Sequence, residues 1–116
     1  MNYVSVVELE LLSFFEVSPR ISIQDPPWPY NEFSYQVALA SYDVTFGIWP
    51  ASKEVSFSIS REGMDIYMFK ARGVEDVRYH KDADVESLEI VISDKDKIWF
   101  RLRPTVLVAQ DVAGWA

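Results

Sequence analysis

From Tyr35 onward the chain alternates apolar and polar residues with a period of two, and this alternation constrains its fold more than any other feature. In "YDVTFGI" Tyr42, Val44, Phe46 and Ile48 share one face, and in "KEVSFSIS" Val55, Phe57 and Ile59 do so between serines. Successive side chains of an extended strand point to opposite sides, so each run reads as a strand with one buried face. "REGM" then sets Glu62-Gly63 at the centre of a two-residue turn, because glycine tolerates positive φ. That turn predicts Ile59 facing Ile66 and Phe57 facing Met68, with Ser58 against Tyr67 and Ser56 against Phe69 on the other side. A short strand "VRYHK" follows "ARG". The runs "SLEIVIS" and "KIWFRLR" then form a hairpin through Asp94-Lys95-Asp96. Pairing Ser93 with Lys97 places Ile92 on Ile98, Ile90 on Phe100 and Leu88 on Leu102. The opposite face then shows Val91 against Trp99, Glu89 against Arg101 and Ser87 near Arg103.

These registers make one face aliphatic and leave Tyr67, Phe69, Trp99 and Val91 on the other, so both faces need cover. A second sheet layer, a curled barrel or an interface supplies it. The expected class is mainly β, with a β-rich α+β variant if the N-terminus is helical. The expected architecture is an antiparallel meander of about six to seven strands, as a sandwich or partly curled barrel. A chain of 116 residues suits one domain, spanning 1–116, and is large enough to fold without metal or disulfides.

The N-terminal stretch reads differently. Over residues 3–17 the polar positions Ser5, Glu8, Glu10, Ser13 and Glu16 collect on one side of a helical wheel, with Leu9 as the exception. A helix ended by Ser18-Pro19 is the better reading. The early Val4, Val6 and Val7 weaken it and keep open a bulged strand over "VELELLSFF". Between this element and the strands lies "QDPPWPYNEF". Pro26, Pro27 and Pro29 cannot donate to a ladder, so they fix an extended connector. Trp28 and Tyr30, two apart on it, are placed to cap an open end of the sheet, and both, with Glu32, are candidate binding residues.

Charge narrows the partners. The net charge is −7, and residues 1–60 carry seven acids against two bases, Arg20 and Lys53. Phosphate backbones and anionic lipid surfaces are bound through clustered Lys and Arg. Neither nucleic acid nor membrane is therefore expected as a partner, whereas another protein, basic in character, fits the charge. Acids run through the apolar N-terminus, with no base before Arg20, which is neither a signal peptide nor a span. The expected location is the cytoplasm.

Chemistry finds few footholds. There is no cysteine, hence no thiol nucleophile and no cysteine metal site. The four glycines form neither a Walker loop nor a dinucleotide fingerprint, and no G-x-S-x-G elbow is present. The one histidine, His80, lies among Tyr79, Lys81, Asp82, Asp84 and Glu86. A general base oriented by a carboxylate would look like this, as would a histidine at a strand end beside a solvated loop, which is the preferred reading. "DADVE" and "DKD" offer alternating carboxylates without the ligand series of a calcium loop. No metal and no cofactor is expected, nor is an enzyme. Trp99, Arg101 and Arg103 alternate along one strand and so share a face, where Trp and Arg can clamp a partner. The alternative there is Trp99 packed under the N-terminal element and Arg101 neutralised by Glu89.

Over residues 28–104 the chain resembles small bacterial toxin-immunity proteins. The likeness lies in "WPYNEFSYQVALASYDVTF", in the turn of Phe69, Gly73, Val74, Asp76 and Val77 within "YMFKARGVEDVRYH", and in "SLEIVIS" followed by "KIWFRLRP". It implies a β meander that neutralises a toxin by binding it, with no catalytic residues. The expected function is thus a small acidic protein-binding domain of immunity or inhibitor type. A small-molecule binder or an enzyme with a pocket near His80 is the alternative. A homodimer is compatible with the two-faced sheet.

Overall fold

A computed structural model describes residues 3–21, 28 and 30–111. Among them one helix, α1 (Glu8–Phe15), precedes nine strands: β1 (Arg20–Ile21), β2 (Phe33–Leu39), β3 (Tyr42–Trp49), β4 (Glu54–Arg61), β5 (Met64–Ala71), β6 (Asp76–Asp82), β7 (Val85–Val91), β8 (Lys97–Arg101) and β9 (Leu107–Asp111). They form two antiparallel sheets in sequential order, β1 to β5 and β6 to β9. The class is the expected one, mainly β with an N-terminal helix, and the cover for the buried faces is a second sheet.

The inner faces are those the alternation defines. Val44, Phe46 and Ile48 of β3 and Val55, Phe57 and Ile59 of β4 are buried, as are Leu88 and Ile90 of β7 and Ile98 and Phe100 of β8. Phe100 joins the layers: its ring stacks on Phe57 at 4.6 Å and on Phe46 at 6.2 Å, across the sandwich. The helix adds Phe14, 5.8 Å from Phe100, and Phe15, stacked on Tyr35 at 4.6 Å.

At the N-terminus both readings of residues 3–17 give way to a division. Val4 and Val6 are buried, and Val6 N–H donates to the Val77 carbonyl at 2.9 Å along the edge of β6. Stiff β-branched side chains favour this extended path. The helix begins only at Glu8, where the Glu10 carboxylate accepts the Val7 N–H at 3.0 Å. It ends at Phe15, before Ser18-Pro19, with Glu16 left-handed at φ 59°. The exposed Leu9 is the residue that broke the helical pattern.

Two hairpin registers differ from expectation. The turn at Glu62-Gly63 has φ of 53° and 78°, and Arg61 pairs Met64 and Ser60 pairs Asp65 as the turn requires. The ladder then shifts between Ile59 and Ser60, leaving Ile66 as an extra residue, so that Ile59 pairs Tyr67, Phe57 pairs Phe69 and Ser58 pairs Met68. A bulge of one residue reverses every later side chain. Tyr67 and Phe69 therefore turn onto the core, where their rings lie 5.5 and 5.3 Å from Phe57. Met64, Ile66 and Met68 are exposed instead. In the β7–β8 hairpin the faces are right but the pairs lie two residues away: Leu88 meets Phe100, Glu89 meets Trp99, Ile90 meets Ile98 and Val91 meets Lys97. The cause is a wider loop. Ile92 and Ser93 N–H groups both donate to the Asp96 carbonyl, so the ladder stops at Val91.

The turn of Phe69, Gly73, Val74, Asp76 and Val77 carries the chain from one sheet to the other. Gly73 has φ 67°, a backbone state that favours glycine. Val74 is buried and its N–H donates to the Lys53 carbonyl at 3.0 Å. The Asp76 carboxylate then accepts Ser5 N–H at 2.6 Å, Ser5 Oγ–H at 2.8 Å and Val77 N–H at 2.8 Å. One side chain thus ties the N-terminal segment to the start of the second sheet.

Candidate functional site

The outer face of the second sheet is where side chains able to recognise a partner converge. Alternation puts Arg78 and His80 of β6, Ser87 and Glu89 of β7, Trp99 and Arg101 of β8, and Leu107 and Ala109 of β9 on this side. The ladders run Arg78, Glu89, Trp99 and Ala109 into one row across all four strands. His80, Ser87, Trp99, Arg101, Leu107 and Ala109 line a groove of about 470 Å³, which Asp82 and Val85 also border.

Glu89 anchors the groove wall. It is 3 % exposed, and its carboxylate lies 2.9 Å from His80 Nε2, 3.1 Å from Lys97 Nζ and 3.8 Å from Arg78 Nη1. Burial pushes its pKa up, but hydrogen bonds and charge from His80 and Lys97 outweigh burial and hold it below the ordinary carboxylate value. Glu89 therefore stays ionised and fixes the cations around it. The His80 ring in turn lies 5.4 Å from Trp99 at 44°, so the carboxylate positions the histidine and the histidine flanks the indole.

Each residue singled out in the sequence has a definite place. Trp99 and Arg101 come together in the groove, but Arg103 leaves them. Beyond the end of β8 it donates to the Phe14 carbonyl at 2.9 Å and the Phe15 carbonyl at 3.5 Å, and it pairs with Glu16 at 3.3 Å. A cation there satisfies the open carbonyls of the helix end. Trp99 lies on the face opposite α1 rather than beneath it, and Glu89 faces Trp99, Lys97, Arg78 and His80 rather than Arg101. Trp28 packs on Phe33 at 4.8 Å and serves the core, whereas Tyr30 is exposed. Glu32 borders a separate cleft of about 240 Å³ on the first sheet, with Trp49, Lys70 and Arg72. Residues 22–27 and Pro29 of the connector, and Trp115, lie outside the described residues. Asp82 and Asp84 flank Ala83 in the β6–β7 turn, and Asp94 and Asp96 lie in the β7–β8 loop. Among the described residues no three acids or histidines gather as a metal site.

The residues that the sequence reading missed are Leu107 and Ala109 in the groove and Lys97, which pairs with Glu89 beside it. Lys97 was legible from parity, since it is two residues from Trp99. The other two sit on β9, whose short run "LVAQD" alternates too weakly to announce a strand.

The described residues include no helix long and apolar enough to cross a membrane. No family model and no curated protein sequence matches the chain. The fold is similar to that of a chain in the contact-dependent growth inhibition toxin–immunity protein complex from Klebsiella pneumoniae 342. The TM-score is 0.76 over 95 % of this chain and 96 % of that one, at 20 % identity. The likeness is one of fold, and it spans nearly the full length of both chains.

Proposed function

We propose that this chain is a protein-binding domain of immunity or inhibitor type, a single cytoplasmic unit that neutralises a partner protein by binding it through the Trp99–Arg101 face. The observation that carries the reading is the groove itself, which holds a half-buried Trp and an Arg free of ion pairs among the described residues, beside the buried and paired Glu89. Residues of this kind dominate the energy of protein interfaces. The likeness in fold to a chain of a toxin–immunity complex supports the same class of partner, and the net charge of −7 favours one that is basic overall.

The test uses a candidate toxin, a large reading frame where one lies next to this one. If its C-terminal domain is toxic, that domain and this chain co-elute as a complex, co-expression abolishes the toxicity, and Trp99→Ala weakens the complex. No complex with that domain, or a complex indifferent to Trp99→Ala, would refute the proposal. A second reading, acid–base chemistry at His80, is favoured by its 2.9 Å contact to Glu89. Against it, Glu89 is shared with Lys97 and Arg78, which makes it a weak base and His80 a strut. Retained protection in His80→Gln separates the two readings.

A further inference from the structure

We infer that the groove beside Trp99 accepts a carboxylate side chain of the partner, with Arg101 as the group that receives it. This rests on the protein-binding reading and adds the chemistry of the contact. Arg101 differs from the basic groups beside it on this sheet and from Arg72 on the other. Arg78 pairs with Asp76 at 3.2 Å, Lys97 and His80 are held by Glu89, Arg72 pairs with Glu54 at 2.8 Å, and Arg103 is spent on the helix end. Arg101 has no ion pair or hydrogen bond among the described residues, and its Nε is buried without a partner. A guanidinium N–H cut off from water and given no acceptor is unfavourable, and an acceptor from outside relieves this only if it carries strong lone pairs.

The register explains why no acid among the described residues fills the role. Pairing Glu89 with Trp99 instead of Arg101 moves that carboxylate one row away, where Lys97, Arg78 and the His80 ring nitrogen take it. Asp82, the acid at the groove's border, is exposed. The groove that holds Arg101 is lined on its apolar side by Trp99, Leu107, Ala109 and Val85, with Ser87 and His80 as its remaining polar groups, so it offers an aliphatic stem apolar contact. A Glu or Asp on a peptide segment has that form: a short apolar stem ending in two acceptors that match the guanidinium fork. The partner is then basic overall, as the net charge asks, and acidic at this one contact.

The test follows the Trp99 indole and Arg101 Nε–H resonances of the ¹⁵N-labelled full chain during titration with N-acetyl-glutamate α-methylamide and, separately, its neutral isostere N-acetyl-glutamine α-methylamide. The carboxylate probe is expected to shift both resonances saturably and the neutral probe neither. The Trp99 shift should need roughly tenfold or more probe in Arg101→Gln, and Arg72→Gln should titrate as the parent. Should Arg101→Gln fail to fold, Arg101→Lys, which keeps the charge and loses the fork, must weaken binding instead. Equal shifts by the two probes, undiminished binding in both Arg101 variants, or no response to the carboxylate at any concentration the protein tolerates would each overturn the inference. A silent carboxylate probe together with toxin capture lost in Trp99→Ala would leave the protein-binding reading standing and remove this one. Carboxylate binding without any captured toxin domain would do the reverse.

Discussion

Tyr35 carries its hydroxyl into the core, fully buried and with no hydrogen-bond partner among the described residues. Burial, helped by the charge of Glu8, drives its ionisation far above the ordinary phenol value. An unpaired buried hydroxyl costs stability while the ring, stacked on Phe15, contributes it. Tyr35→Phe is therefore expected to leave the melting temperature unchanged or to raise it, and a clear fall would mean an unseen partner. Asp76 behaves in the opposite way. Burial raises its pKa, but hydrogen bonds from Ser5, Val77 and Arg78 overcome that and hold it below the ordinary carboxylate value. The native state thus binds fewer protons than the unfolded chain, whose carboxyls titrate near pH 4. The stability from this group is complete above about pH 5 and is lost as pH falls through the lower folded value. Asp76→Asn should cost about 1–2 kcal/mol at neutral pH and flatten the acid limb of a stability–pH curve. An unchanged acid limb would contradict the geometry around Asp76. The sequence flagged Asp76 as part of a turn motif but not this role, because Ser5 reaches it from 71 positions away.

The β4–β5 hairpin and helix α1 show what local pattern can and cannot specify. Glu62-Gly63 dictated the turn and the first two pairs, yet the bulge at Ile66 reversed the rest. What decided the matter was burial: Tyr67 and Phe69 bury more ring surface than Ile66 and Met68. Deleting Ile66 discriminates between the two registers. Under the observed ladder it removes only the extra residue and keeps Tyr67 on Ile59, so the melting temperature should change little. A regular ladder would be turned inside out by the same deletion and would unfold. For α1, an eight-residue helix too short to stand alone, the decisive contact is Arg103 on the Phe14 and Phe15 carbonyls. Arg103→Ala is expected to destabilise the chain by about 1–2 kcal/mol while leaving binding through the Trp99 face intact. A loss of partner affinity at unchanged stability would restore Arg103 to the binding row its sequence position suggested.

Across the whole molecule, Phe100 is the residue on which helix and both sheets meet, with Phe14, Phe46 and Phe57 around it. Phe100→Ala should cost about 3–5 kcal/mol, a large share of the stability of a chain this size. Urea unfolding followed by tryptophan fluorescence and by far-UV dichroism should show one coincident transition moved to lower denaturant. Separate transitions would mean that the sheets do not share a core. The identity of β3, β4, β7 and β8, their inner and outer faces, and the turn at Glu62-Gly63 were legible in the sequence, because side-chain direction in a strand depends only on parity; β9 and the faces of β5 beyond Asp65 were not. The face that carries Trp99 and Arg101 was legible too. Tertiary structure alone decided the bulge, the length of the β7–β8 loop, the division of the chain into two sheets, and the use of Arg103, Trp28 and Glu89. Each of these depends on contacts between residues far apart in the chain, where total burial and the pairing of buried charge outweigh any local preference.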